Sequence, residues 1–97
     1  MHFEIELSIK AGEELAEASA WYDEQKFGLG EDFETEVFKK LDLISKNPFH
    51  YQTKKKLREA LVDRFPYLLV FSVHEKLNTI IILSVFHTSR HPKNKKK

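Results

Sequence analysis

Residues 11–46 carry a helical period that is interrupted once, and this constrains the fold more than any other feature of the chain. Leu15, Ala18 and Tyr22 share one stripe, with Ala16 and Ala20 beside it, over a helix predicted from Ala11 to Phe27. Glu13, Glu14 and Glu17 crowd its expected first two turns, where the positive end of the helix dipole favours acids. Gly28-Leu29-Gly30 breaks the pattern, because glycine tolerates the left-handed conformation that ends a helix. Phe33, Val37, Leu41 and Ile44 then repeat at helical spacing from about Glu31 to Lys46, and Asn47-Pro48 stops the run. Two helices joined by so short a break must lie side by side as a hairpin, each with one apolar stripe to bury.

The flanking segments supply a sheet on which to bury them. Phe3, Ile5, Leu7 and Ile9 alternate with Glu4, Glu6, Ser8 and Lys10, the period of a half-buried strand. Residues 49–56, ending in Lys54-Lys55-Lys56, have no clean period and read as a loop. Strands are predicted over Arg58–Val62, Pro66–His74 and Thr79–His87, the last two joined by a hairpin turn at Glu75-Lys76-Leu77-Asn78. In the last strand Ile80, Ile82 and Phe86 lie on one face and Ile81, Leu83 and Val85 on the other. A strand apolar on both faces belongs inside its sheet. The expected architecture is α+β: an N-terminal strand, then a helical hairpin packed on a small, largely antiparallel sheet, in the order β-α-α-β-β-β. Residues 1–92 form one expected domain and the basic tail 93–97 is expected to fray. The sheet face away from the helices is left to water or to a partner.

Composition narrows the chemistry. No cysteine is present among the 97 residues, which excludes disulfides, thiolate metal sites and a cysteine nucleophile. The apolar run Ile80–Leu83 is four residues long, against the roughly 20 a membrane helix needs. The N-terminus lacks the basic and apolar regions of a signal peptide, so the expected location is the cytoplasm. The net charge of +1 conceals a division: residues 1–36 hold eleven acids and two lysines, net −9, leaving +10 on residues 37–97. Either the basic half meets a polyanion or acidic partner, or the two halves meet each other in the fold.

Several of these residues resemble a known family. Trp21-Tyr22, Phe27-Gly28-Leu29-Gly30 with Phe33, and Ile44 with Asn47-Pro48 resemble the helical hairpin of the RelE/ParE superfamily of bacterial toxins. So do Arg58-Glu59-Ala60, Arg64-Phe65-Pro66-Tyr67 and the ending His87-Thr88-Ser89-Arg90-His91-Pro92, in order, from about Leu15 to Pro92. The resemblance implies the toxin of a type II toxin–antitoxin module, neutralised by a cognate antitoxin in a hetero-oligomer. Within the superfamily, ParE-like members inhibit DNA gyrase by binding, whereas RelE-like members cut messenger RNA on the ribosome without a metal. The Phe-Pro-Tyr and His-x-x-Arg-x-Pro pieces resemble the ParE-like, plasmid-stabilisation side more closely, although Lys93–Lys97 stand where an aromatic residue often follows.

Two sets of candidate residues follow. An RNA-cleaving reading needs a proton carrier and cations beside the phosphate, roles that His87 with Arg58, Arg64 and Arg90 would fill if adjacent strands brought them together. The alternative makes His87 a strand-end residue and the arginines, with Lys54, Lys55 and Lys56, contacts for an antitoxin or target. No Tyr follows Tyr67, whereas RelE-like nucleases usually carry further basic or aromatic residues near the C-terminus. Tyr22 and Tyr67 are expected in the core, Trp21 at its edge, and Tyr51 either in the structure or stacked on a base. His87 and His91 are a poor metal pair without a carboxylate nearby, and the only close glycines lack a following Lys-Ser/Thr, so no metal and no nucleotide cofactor is expected.

Overall fold

The computed structural model describes residues 2–89. Strand β1 (Glu4–Leu7) leads into helix α1 (Ile9–Gln25) and helix α2 (Leu29–Lys46). Four strands follow: β2 (Gln52–Lys54), β3 (Leu57–Leu61), β4 (Tyr67–His74) and β5 (Thr79–His87). They form one five-stranded sheet in the order β1-β5-β4-β3-β2, antiparallel except where β1 runs parallel to β5. The α+β class and the helical hairpin over a small sheet are as the sequence predicts. The element order gains one strand, because β2 occupies part of the segment expected to be a loop. Its residues Gln52, Thr53 and Lys54 are all exposed. It is held by its ladder to β3 and not by burial, so it leaves no hydrophobic period to read.

Boundaries shift where capping outweighs periodicity. The expected strand through Lys10 stops at Leu7, because the Ser8 hydroxyl accepts the Ala11 N–H at 3.0 Å and starts α1 at Ile9. Ile9 is consequently 83% exposed. The acids Glu13, Glu14 and Glu17 fall beyond the first turn, and Ala16 and Ala20 face solvent. Gly28 takes φ +88° immediately before α2, which begins at Leu29, two residues earlier than the pattern suggests. Gly30 therefore lies inside α2, where a Cβ would come within 2.4 Å of the Ser19 carbonyl oxygen: the two helices cross too closely there for any side chain.

The core fills the space between hairpin and sheet. Phe33, Val37, Leu41 and Ile44 of α2 meet Tyr67, Leu69 and Phe71 of β4 and Ile80, Ile82 and Val85 of β5, all buried. At one end Tyr22, Phe33, Phe65 and Tyr67 form a ring cluster, with Phe33 and Tyr67 centroids 4.9 Å apart and Tyr22 and Phe65 5.0 Å.

A bulge in β5 changes its faces. Val70 pairs with Ser84 and Phe71 with Ile82, leaving Leu83 without a partner on β4. Beyond the bulge Val85 joins Ile80 and Ile82 on the helix side and Phe86 turns away, the reverse of the regular alternation expected for those two residues. Glu14 of α1 fastens the bulge: its carboxylate accepts the Val85 N–H at 2.7 Å and the Ser84 hydroxyl at 3.1 Å, and pairs with Lys10 at 2.8 Å.

Candidate functional site

The sheet topology divides the predicted site residues between its two ends. His87 closes β5 opposite Tyr67, and their rings meet edge-on at 5.2 Å. The bulge gives His87 the same side of the sheet as Val85. Its Nδ1 accepts the Ser89 backbone N–H at 3.1 Å, so Nδ1 carries no hydrogen and the neutral ring is the Nε2–H tautomer. The β3–β4 loop lies at this same end, tied by Thr88 N–H to Pro66 O at 2.8 Å and Val62 N–H to Tyr67 O at 2.9 Å.

Arg64 sits in that loop with φ +71°. Its guanidinium pairs with Glu36 of α2 at 3.2 Å and lies 5.4 Å from the Phe65 ring centre. The Glu36 side chain is only 8% exposed and also faces Lys39 at 3.6 Å, while Asp63 pairs with Lys40 at 3.6 Å. The loop is thus latched to α2 by charge, and at Glu36 the acidic and basic halves of the chain meet. Sequence reasoning missed this carboxylate; Glu36 with Lys39 and Lys40 at helical spacing is the signal that marks it.

Arg58 and the lysines lie at the far end. Arg58 pairs in register with Phe71, four residues along β4 from the partner of His87, which puts it about 13 Å away along the strand and about 10 Å across two strand spacings. Its guanidinium donates to the Tyr51 carbonyl at 2.8 Å and stacks on Phe49 at 5.1 Å. Tyr51, half-buried, packs edge-on against Phe71. Lys54 pairs with Leu57, so Lys55 and Lys56 form a two-residue hairpin turn, Lys55 with φ +60°. All three lysines are exposed. The fold therefore brings the Arg64 loop and His87 to one end, and Arg58 with Lys54–Lys56 to the other. Arg90, His91 and the tail 93–97 lie outside the described residues.

Between these ends runs the open face of the sheet. Leu57, Glu59 and Leu61 of β3 stand beside Val70 and Leu68 of β4, with Ile81 and Phe86 of β5 beyond. Leu61 is 57% exposed and the others are half-buried. Such a face offers apolar contact flanked by cations. Among the described residues no group of three or more His, Asp or Glu is placed to hold a metal ion, and no helix is long and apolar enough to cross a membrane.

A sequence model described as the ParE toxin of the type II toxin–antitoxin system parDE matches residues 5–92. The chain belongs to the ParE toxin family. It is a RelE/ParE-superfamily toxin, and the family implies a cognate antitoxin as partner. No curated protein sequence matches it. Among solved structures, a chain of the chromosomal ParDE system from P. aeruginosa is similar, with a TM-score of 0.76 at 13% identity over 89% of this chain and 96% of that one. A mutant of the E. coli toxin RelE in the free state gives 0.73 at 15% identity over 99% and 94%. The isolated E. coli RelE toxin gives 0.65 at 15% identity over 97% and 93%. At these identities the likeness is one of fold, and it spans both branches of the superfamily.

Proposed function

We infer that this ParE-family toxin arrests bacterial growth by binding DNA gyrase, and that its antitoxin neutralises it by covering the basic half of the chain. The observation that carries this reading is the removal of Arg58 from His87, together with the engagement of Arg64, which shares the His87 end, by Glu36. Metal-free RNA cleavage needs a proton carrier and phosphate-binding cations around one atom. Here Arg58 is some four residues of strand from the partner of His87 and is held by Tyr51 and Phe49, while Arg64 is engaged by Glu36. A binding function asks for no such convergence. It asks for a rigid surface with apolar area and charge at its rim, and Leu61, Phe86, Lys54, Lys55, Lys56 and Arg64 supply both. An acidic antitoxin segment, ordering as it binds, would pair with those lysines and with Arg58, Arg64 and Arg90.

The test is DNA supercoiling by purified gyrase with increasing toxin, beside mapping of mRNA 5′ ends in a translating extract. Lost supercoiling with intact messages upholds gyrase binding. New 5′ ends inside codons, seen only with ribosomes present and abolished by His87→Ala, would replace it with ribosome-dependent mRNA cleavage.

A further inference from the structure

The face of α2 turned away from the sheet has no neighbour among the described residues. There Thr35, Phe38, Lys39, Asp42 and Leu43 line an open groove, with Phe38 53% and Leu43 49% exposed. At 100° per residue, Thr35, Lys39, Asp42 and Lys46 fall within about 60° of one another and form a polar seam. Phe38 and Leu43 stand on its two flanks.

The seam is complementary to itself. Place a twofold axis in the contact plane, perpendicular to α2 and midway between Lys40 and Leu41. A second α2 then lies antiparallel on the first, with Lys39 opposite Asp42 of the second copy and Thr35 opposite its Lys46. A twofold axis in that plane keeps each flank on its own side, so Phe38 meets Phe38 and Leu43 meets Leu43. A parallel pairing would instead oppose Lys39 to Lys39 and Asp42 to Asp42. We propose that the outer face of α2 is a homodimer interface, occupied by α2 of a second copy of this chain in antiparallel register.

The charges are available for exchange. Lys39 pairs with Glu36 at 3.6 Å and Lys46 with Asp42 at 3.0 Å. Both are contacts of exposed lysines, which cost little to trade, and Glu36 keeps Arg64 when Lys39 leaves. The alternation of Lys39, Asp42 and Lys46 along the seam also opposes a uniformly acidic peptide, which would meet Asp42 at its centre. Two short helix faces make a contact at the small end of the interface range, so the association is weak, with a Kd in the micromolar range. The open sheet face is on the other side of the molecule and stays accessible in the dimer.

Sedimentation equilibrium of the purified chain tests this, over total concentrations from about 1 to 300 µM. A monomer–dimer equilibrium is expected. Lys39→Asp and Asp42→Lys, each opposing like charges, should weaken it by about tenfold or more. The double variant Lys39→Asp/Asp42→Lys should return it towards wild type, and thermal melts should show every variant folded. A chain monomeric throughout, single variants without effect, or a double variant as weak as the singles overturns the proposal. So does a monomeric chain in which Phe38→Ala weakens antitoxin binding, because that assigns the face to the antitoxin.

Discussion

At the scale of single residues, backbone conformation and close approach decide which substitutions are tolerated. Lys55 and Arg64 both hold left-handed φ values, near +60° and +71°, that disfavour a Cβ. Their replacement by glycine should nevertheless have opposite outcomes. Lys55 is an exposed turn residue, so Lys55→Gly relieves strain and should raise stability by about 0.5 kcal/mol, after the glycine's larger unfolded-state entropy is deducted. Arg64→Gly relieves the same strain but leaves the buried Glu36 with only the longer Lys39 contact, and should lower stability by about 1 kcal/mol. Urea unfolding of the two variants checks the pair: a gain in both would show that φ alone governs the two sites, and a loss in both would show that the Lys55 turn stores no strain. Gly30 is a stricter case. Its Cβ would strike the backbone of Ser19, so Gly30→Ala should cost about 2 kcal/mol despite alanine's better helix propensity, a Tm fall of about 10 °C.

At the scale of elements, the bulge in β5 is the device that decides which side chains stand at the His87 end of the sheet. It turns Val85 into the core and gives His87 the same side, beside Tyr67. A bulge frees backbone groups, and here Glu14 takes the Val85 N–H. Glu14→Ala leaves that donor unmatched and should cost about 2 kcal/mol, whereas Glu14→Gln keeps a side-chain carbonyl acceptor and should cost less than half as much. Amide exchange at Val85 measures the effect locally: protection should collapse in the alanine variant and largely persist in the glutamine variant. Equal protection in both would assign the bulge to strand packing alone.

At the scale of the whole molecule, the acidic first third and the basic remainder become two kinds of surface. The edge strand β1, α1 and the first half of α2 carry the acids, while the β2–β3 turn and the Arg64 loop carry exposed cations, and Glu36 joins the two through Arg64 and Lys39. Reversing Lys54, Lys55 and Lys56 together to Glu should weaken antitoxin binding by about tenfold at low salt and flatten its salt dependence, without changing Tm by more than a few degrees. Isothermal titration of toxin and antitoxin at two ionic strengths reads both quantities. An unchanged Kd would remove the β2–β3 turn from the antitoxin interface.

How much of this was legible in the chain follows from the range of the forces involved. Periodicity reports which residues an element buries, so Phe33, Val37, Leu41 and Ile44, and the strand Thr79–His87, could be read directly. Turn chemistry is equally local: Gly28 and Asn78 take the left-handed conformations their residue types favour. The motifs that placed the chain among RelE/ParE toxins are short runs of this local kind. Strand β2 left no trace because its support is a neighbouring strand's hydrogen bonds, and the bulge left none because its support is a carboxylate some seventy residues away. The gathering of His87 with the Arg64 loop, and the removal of Arg58 to the opposite end, depend on strand order and register. Those are properties of which strands pair, and the pairing is chosen by the whole core at once. The sequence by itself determined both helices, four of the five strands, the buried faces of α2 and of β5 as far as its bulge, and the family; only the tertiary structure decided where β2 pairs, which way β5 faces beyond the bulge and which side chains share an end of the sheet, because those choices are made by contacts between residues far apart in the chain.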